Sequence, residues 1–479
     1  MLLFLYFSCK SINDIKTIIL AFNSIVVLEL VVFILQYNQI LTNSNPNYLI
    51  GGSFGHPSLT SASLVIITPF FLHYLLEHQE KTFLRITTLL CLGISVFLLI
   101  FYQSRASILS FVLVCILYIL LRKTKTQNIF PKNRISQYIG YLFGLIIILV
   151  VTYFGKRHSS DGRLYIWKKC IDIISQNPWL GTGYTNFAYV YNEYQRAYFS
   201  TSRSVYETSL ADYTEQAYNQ FLETCVEQGI PGLAILLLLL IVAATISLRS
   251  GKIFYFISLL SFIPILLGWS ILKIFPITII FVLLLSLISK DDSEAVFILK
   301  MNRWTRLLFL VVPVYFSFNT YHQFSSYLSL HELIKERNTK KIEKCFYNSY
   351  PYLHKDMNYQ MEFINFLFAQ GKYDSCIAMS SNVLQWNNNI YFYLTMGQCY
   401  YAKNEYKDAL SAFKSANSAI PVKLYPRFLI AKTYYKMKRY NEGDSILLHA
   451  LSSNVKVNTI ETTMMLQQMK DLYKTKGKN

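Results

Sequence analysis

The sequence predicts an all-α membrane protein, in which a bundle of about nine transmembrane helices precedes a helical repeat domain. The composition is 53% hydrophobic and only 15% charged, whereas soluble domains average about 25% charged residues. Apolar segments long enough to span a membrane recur between residues 17 and 321, and the chain after them is polar and repetitive. Together these observations indicate a membrane protein with soluble appendages.

The apolar segments define the predicted transmembrane helices, because about 20 apolar residues are needed to cross the hydrocarbon core. They cover residues 17–37, 58–77, 84–102, 105–122, 136–155, 229–249, 252–270, 271–289 and 304–321. Two features inside them need an explanation. Glu29 should face the bundle interior, since a carboxylate in lipid is costly. Trp269 and Lys273 lie near helix ends and are predicted to be interfacial anchors.

Basic residues in the connections predict the orientation of the bundle. The relevant positions are Lys81, Arg85, Arg122, Lys123, Lys125, Lys132, Arg134, Arg249, Lys252, Lys290, Lys300, Arg303 and Arg306. Counting spans places all of them on one side, which the positive-inside rule assigns to the cytoplasm. Residues 38–57, 156–228 and 322–479 then lie on the opposite, periplasmic side. Cytoplasmic basic loops also account for the net charge of +18, so no nucleic acid partner is predicted.

The chain from Gly155 to Gly232 is the one long polar interruption of the apolar segments, and it is rich in arginine and tyrosine. Loops of this length are uncommon unless they are functional or disordered. Its composition suits an anionic ligand at a membrane surface, and it equally suits a solvated loop with no chemistry. The eight cysteines are scattered and have neither metal-binding nor disulfide spacing. We therefore expect no metal site.

Two motifs in this loop resemble the O-antigen ligase and O-antigen polymerase superfamily of bacterial envelope membrane proteins. The first runs from Arg163 through Trp167 to Pro178-Trp-Leu-Gly-Thr-Gly-Tyr-Thr-Asn-Phe187. The second is Tyr218-Asn219, followed nine residues later by Gly229-Ile-Pro-Gly232. Weaker similarities occur at Gly52–Pro57 and Ser104–Ser107. Tyr218 stands where the ligases carry histidine, and Glu227 occupies the usual acidic position of the family.

The resemblance implies an envelope glycosyltransferase that polymerises or ligates a glycan carried on a polyprenyl pyrophosphate, at the periplasmic face of the inner membrane. The acceptor could be a growing polysaccharide, a lipid A-core or a protein. Three alternatives stay open: a protein O-oligosaccharyltransferase of the same superfamily, a non-catalytic glycan-binding or assembly protein, and a transporter. The many spans and one intramembrane acid fit a transporter, but no inverted repeat is evident. The resemblance implies no cofactor and no metal.

The chemistry of such a transfer selects the candidate residues. Arginine makes planar, two-point contacts with phosphate, whereas a phenol with a pKa of about 10 is a poor base near neutral pH. A carboxylate or a histidine is therefore needed to replace the missing imidazole. The predicted catalytic residues are Arg163, Tyr218, Glu227 and Glu215. The predicted substrate-binding residues are Arg105, Trp167, His56, His158 and Asn219.

After residue 321 a repeat begins to show in the sequence. Tyr373, Tyr406 and Tyr440 follow three similar turns and are 33 and 34 residues apart, which is the tetratricopeptide period. Each such unit is a helix pair that buries its apolar face only by stacking on its neighbours. We thus expect a membrane domain over residues 1–321, with the loop at 156–228, and a soluble repeat domain over 322–479 that binds a protein partner.

Overall fold

The computed structural model describes residues 15–45, 47–78, 82–122, 157–201, 204–251, 253–290, 318, 320–331, 338–452 and 460–475. All regular secondary structure within these ranges is helical. The chain forms two compact units. The first consists of Met1–Arg163, Pro178–Gly181 and Gln216–Asn302, and the second of Leu164–Asn177, Thr182–Glu215 and Arg303–Asn479.

The apolar segments of the first unit fold as helices within four residues of their predicted bounds, except that the helix predicted at 229–249 begins at Gln220. They are α1 (Ile15–Tyr37), α2 (Pro57–Glu77), α3 (Phe83–Tyr102), α4 (Arg105–Arg122), α8 (Gln220–Arg249), α9 (Ile253–Gly268) and α10 (Phe275–Lys290). Within the described residues, α1, α2, α3 and α8 are long and apolar enough to cross a membrane, and α4, α9 and α10 contain shorter apolar helices. The predicted span 136–155 lies outside the described residues, and 304–321 does so almost entirely.

Helix α2 forms the centre of the first unit, because nearly every side chain from Thr60 to Phe71 is buried. It packs against α3, α4 and α9, and α9 in turn packs against α8. Glu29 on α1 is buried, as predicted, and accepts hydrogen bonds from the backbone N–H and the hydroxyl of Ser53. Its carboxylate therefore ties α1 to the polar segment that leads into α2.

The second unit contains the predicted stack of helix pairs. Its helices after residue 338 are α11 (Thr339–Leu353), α12 (Met357–Ala369), α13 (Tyr373–Val383), α14 (Ile390–Ala402), α15 (Tyr406–Ala419), α16 (Leu424–Lys436), α17 (Tyr440–Ser452) and α18 (Ile460–Thr475). Successive helices from α12 to α17 pack on one another. Gly397 lies against the Phe413 ring and Gly443 against the Tyr435 ring, so a side chain at either glycine would collide with an aromatic ring.

The second unit also includes much of the long polar loop. The loop forms α5 (Arg157–Gln176), α6 (Phe187–Thr201) and the short α7 (Val205–Leu210). Residues 164–177 and 182–215 group with the repeats, and α6 packs along α15. The sequence-based division at residue 321 assigned this whole loop to the membrane domain. In the structure the repeat unit contains the middle of the loop.

Candidate functional site

Arg163 and Tyr218 lie together in the first unit, although they are far apart in sequence. The guanidinium carbon of Arg163 lies 5.2 Å from the centroid of the Tyr218 ring, within the range of a cation–π interaction. The Tyr218 ring meets Trp269 edge to face, with centroids 5.2 Å apart. Trp269 is buried, so the prediction that it is a surface anchor is wrong. It forms an aromatic wall behind Tyr218.

His56 lies on the other side of this tryptophan. Its ring centroid is 4.5 Å from that of Trp269, and its Nδ1 accepts a hydrogen bond of 3.1 Å from the Ser58 N–H, which caps α2. Burial, and then the positive charge of Arg163, lower the pKa of His56 to about 4. His56 is thus neutral near pH 7, and since Nδ1 is the acceptor, Nε2 carries the proton. This geometry suits a hydrogen-bond donor rather than a base.

Arg105 supplies a second guanidinium in the same region. It begins α4 and donates to the hydroxyls of Ser160, at 2.9 Å, and Ser159, at 3.2 Å. Burial lowers the pKa of Arg163, and the charge of Arg105 lowers it further. Gly268 lies beside the Arg163 side chain, since a Cβ there would be in van der Waals contact with Nη1, at 3.7 Å. Two like charges are therefore held close together on neighbouring helices.

The environment of Arg163 favours binding of an anion. Its guanidinium is half-buried, and among the residues that the structure describes it forms neither a hydrogen bond nor an ion pair. A desolvated cation that faces a second cation is stabilised by an oxyanion that contacts both. Phosphate and pyrophosphate have the charge and oxygen geometry for this.

A cluster of one lysine and two carboxylates supports Tyr218. Lys273, in the short turn between α9 and α10, pairs with Glu223 and, at 2.7 Å, with Glu227. Glu223 also accepts the Ser270 hydroxyl and, at 2.7 Å, the N–H of Ala217. Ala217 precedes Tyr218, whose φ of 52° lies in the left-handed region. Glu223 thus fixes the turn that presents the tyrosine.

One prediction changes on this evidence, and one residue is added to the cluster. Lys273 is the shared partner of two buried carboxylates and not an interfacial anchor. Glu223, which sequence reasoning missed, is as buried as Glu227. The Glu–x–x–x–Glu spacing on α8 was the available signal, because residues four apart share a helix face.

Asn219 is the N-cap residue of α8. Its side-chain oxygen accepts the N–H groups of Phe221 and Leu222, at 3.0 and 3.1 Å, and so caps α8. Asparagine is a preferred residue at this position because it satisfies helix N–H groups that have no partner in the helix. The prediction that Asn219 binds substrate stays a prediction.

Gly181 and Gly229, one from each loop motif, each lie directly against the backbone of the other motif. Gly229, with φ of 71°, interrupts α8, and a Cβ there would collide with the carbonyl of Trp179. Gly181, with φ of 65°, lies equally close to the carbonyl of Glu227. The N–H of Ile230 donates to the Pro178 carbonyl at 2.8 Å. These positions therefore require glycine both for conformation and for space.

The remaining predicted residues are not brought to Arg163 by any described contact. His158 lies in the first turn of α5, and its side chain is outside the described residues. Trp167, one helical turn after Arg163, is half-buried in the second unit, and Glu215 is exposed there. Glu227 is only 2% exposed. Their predicted roles remain predictions.

A second charged cluster, also missed from the sequence, lies in the loop part of the second unit. Glu207 on α7 pairs with Lys168 at 3.0 Å and with Lys169 at 3.6 Å, and it accepts the Tyr198 hydroxyl. Lys169 is 2% exposed, and its ammonium lies 3.4 Å from the centroid of the Tyr198 ring. The cluster joins α5, α6 and α7.

The fold and this geometry define a polytopic membrane protein with a cationic, aromatic site and a repeat unit. Comparison with known families agrees: residues 82–237 match the O-antigen ligase family model. Residues 369–450 match the model described as anaphase-promoting complex, cyclosome, subunit 3, which is similar to tetratricopeptide repeats. No curated protein matches the chain. The resemblance seen in the sequence is confirmed, and the O-antigen ligase segment contains Arg105, Arg163, Tyr218, Glu223 and Glu227.

Proposed function

We propose that the protein is a glycosyltransferase that moves a glycan from a polyprenyl pyrophosphate to an acceptor at the periplasmic face of a bacterial inner membrane, as a polymerase or a ligase. The observation that supports this best is the half-buried Arg163, stacked on Tyr218 and close to a second arginine. The match to the O-antigen ligase family supports processing of an envelope glycan.

In the proposed reaction the acceptor hydroxyl oxygen forms a bond to the anomeric carbon of the glycan. The bond from that carbon to the pyrophosphate oxygen breaks, and the pyrophosphate leaves with the electron pair. Arg163 and Arg105 stabilise the charge that develops on the leaving oxygens, which is where fixed cations accelerate such a step most. The proton of the acceptor hydroxyl passes to a general base.

The other residues divide into groups that touch substrate and groups that position them. The Tyr218 ring holds the Arg163 guanidinium, and the proposed role of its phenol is to orient a sugar or phosphate oxygen. His56 donates from Nε2. Burial on Lys273 favours a positioning role for Glu227, and Glu215 stays a predicted base.

A second candidate function is glycan transfer to protein, and the C-terminal repeats are the observation that favours it. Repeat stacks of this kind present extended surfaces to other polypeptides. A deletion strain separates the two: altered surface polysaccharide supports polymerase or ligase, whereas unglycosylated envelope proteins support the protein-directed reaction.

The central test replaces Arg163 in that deletion strain and measures the chain-length profile of the surface glycan. Arg163→Ala is expected to abolish transfer, and Arg163→Lys to restore only part of it, because an ammonium cannot make the planar two-point contact. Arg439→Ala is the matched control, since Arg439 is an exposed arginine of the repeats that pairs with Glu442. Normal glycan with a folded Arg163→Ala protein would refute the proposal.

Tyr218→Phe distinguishes orientation by Tyr218 from proton abstraction by it. The phenylalanine ring keeps the stacking on Arg163 and Trp269, and a lost hydrogen bond costs roughly threefold to tenfold in rate. Loss of a general base costs about a hundredfold or more. A folded Tyr218→Phe protein without activity would make Tyr218 the catalytic base, contrary to our assignment.

Cysteine labelling in intact cells tests the proposed orientation. A cysteine introduced near residue 200 should react with a membrane-impermeant reagent, and one near residue 128 should be protected. The reverse pattern would contradict the assignment of the loop to the periplasmic face.

A further inference from the structure

Helix α6 of the loop is tied to the repeats by a buried glutamine. Gln195 is 1% exposed. Its side-chain amide donates to the backbone carbonyl of Ala419 at 2.8 Å and to that of Asp212 at 3.1 Å. One amide group thus joins α6, the segment after α7 and the end of α15. A buried donor of this kind is costly to leave without its acceptors.

Asn388 makes the reciprocal contact from the repeat side. It lies just before α14, is 3% exposed, and donates to the Glu193 carboxylate at 3.0 Å and to the Tyr189 carbonyl at 3.4 Å. Its side-chain oxygen accepts the Tyr393 hydroxyl at 3.1 Å. Loop and repeats therefore each bury a side-chain amide whose nitrogen donates to an acceptor on the other.

Tyr213 provides the apolar part of the same contact. Its side chain packs against the cluster formed by Ile390, Ala416, Ala419 and Ile420, and its hydroxyl donates to the Asn387 side chain at 3.2 Å. The two alanines leave the space that the tyrosine ring fills. We call the surface formed by residues 387–393 and 416–420 the loop-binding edge.

We propose that the loop-binding edge is a docking site for the chain's own residues 187–201 and 204–213, and that the repeats keep these parts of the loop folded. A 15-residue helix such as α6 is marginally stable alone, so packing on the repeats adds to the stabilisation that the Glu207 cluster gives it. The donor groups of Gln195, Asn388 and Tyr213 find their acceptors within the same chain. A separate protein partner has to use another surface of the repeats or displace the loop.

Hydrogen–deuterium exchange of the full-length protein, purified in detergent, tests this proposal without any glycan substrate. Asn388→Ala should make amides of residues 187–201 exchange about five- to a hundredfold faster, since a buried hydrogen-bonding group is removed. Asn382→Ala is the matched control, because Asn382 is exposed and donates only within the repeats, to the Tyr350 hydroxyl. The control should exchange like the wild type in this segment.

Tyr213→Ala tests the same contact from the loop side and changes no repeat residue. Exchange in residues 187–201 should again increase, while residues 357–383 stay protected. Wild-type exchange of residues 187–201 in both Asn388→Ala and Tyr213→Ala would overturn the proposal. Because the readout is backbone protection, failure of the proposed glycan transfer would leave this result unaffected.

Discussion

The first unit places one lysine between two carboxylates, whereas the second places one carboxylate between two lysines. Lys273 pairs with Glu223 and Glu227, which are 1% and 2% exposed. Glu207 pairs with the exposed Lys168 and the buried Lys169. The formal charge of the first cluster is thus −1 and that of the second +1.

The difference shows which residue each cluster depends on. Burying a charge is tolerable only while a partner compensates it, so the shared member of each cluster is the one whose loss leaves charges stranded. In the first unit this member is Lys273, next to the turn that presents Tyr218. In the second it is Glu207, which joins three helices of the loop. Each of the other residues in a cluster matters less to stability the more its side chain is exposed.

Lys273→Met is expected to have the largest effect on stability, because it leaves two buried carboxylates without their cation. Breaking a buried pair in this way costs about 3–5 kcal/mol. Thermal melting in detergent would measure the loss. Adding Glu223→Gln to Lys273→Met should recover part of it, and a double variant no more stable than the single one would contradict the shared-partner view.

Glu207→Gln is expected to have the next largest effect, since it strands the ammonium of Lys169. The remaining contact with the Tyr198 ring compensates in part, so we expect a loss of about 1–3 kcal/mol. Exchange of residues 187–201 should increase in this variant, whereas the helices of the first unit should keep their protection. Equal destabilisation of both units would argue against a local role.

Lys168→Met should have a much smaller effect than either, because the Lys168 side chain is 66% exposed and Glu207 keeps Lys169 and Tyr198. Exposed ion pairs contribute little to stability. The melting temperature should stay at that of the wild type. A drop as large as that of Glu207→Gln would show that the two lysines are not redundant.

Acidification should destabilise the two units over different pH ranges. The lowered pKa of His56, about 4 against an ordinary 6.5, means that the unfolded chain binds a proton over this interval while the folded chain does not. Stability of the first unit is therefore full above pH 6.5 and falls as the pH decreases to 4. His56→Asn, which can still cap α2, should remove this slope in melting temperature.

Glu207 makes the second unit lose stability at a lower pH than His56 does in the first unit. Burial alone raises the pKa of Glu207, but hydrogen bonds from Tyr198 and Lys168 outweigh it, so the pKa lies below its ordinary 4.5. Its contribution is present above that value and is lost as the pH falls below it. Loss of protection in residues 187–201 above pH 5 would contradict this order.

The sequence was sufficient to predict the helices and repeats, because hydropathy and residue spacing along a short stretch of chain determine them. Hydropathy predicted the bounds of α1 to α4 to within a few residues, since a spanning helix must be apolar over most of its length. The 33- and 34-residue spacing of Tyr373, Tyr406 and Tyr440 predicted the repeats, because the period reports the stacking unit itself. Arg163 and Tyr218 were both identified from motifs, and the structure brings them into contact.

Pairings across the fold could not be predicted in this way. Lys273 and Trp269 lie near helix ends, where a lipid anchor and a buried partner have the same local sequence. Only the packing of their turn against α8 distinguishes the two. Lys168 and Lys169 are adjacent, and the orientation of α5 toward α6 and α7 decides which one is buried. Loop docking on residues 387–393 left no sequence signal that we recognised.

The loop–repeat contact also has a consequence for biosynthesis. Gln195 and its acceptor Ala419 are separated by 224 residues, which at about 5–20 residues per second are synthesised in roughly 10–45 s. Throughout that interval the emerging loop lacks the surface that accepts the Gln195 side-chain N–H and packs against Tyr213. The nascent chain thus exposes an incomplete loop until the ribosome has translated α15, and shortened translation products are expected to be early substrates for chaperones and proteases.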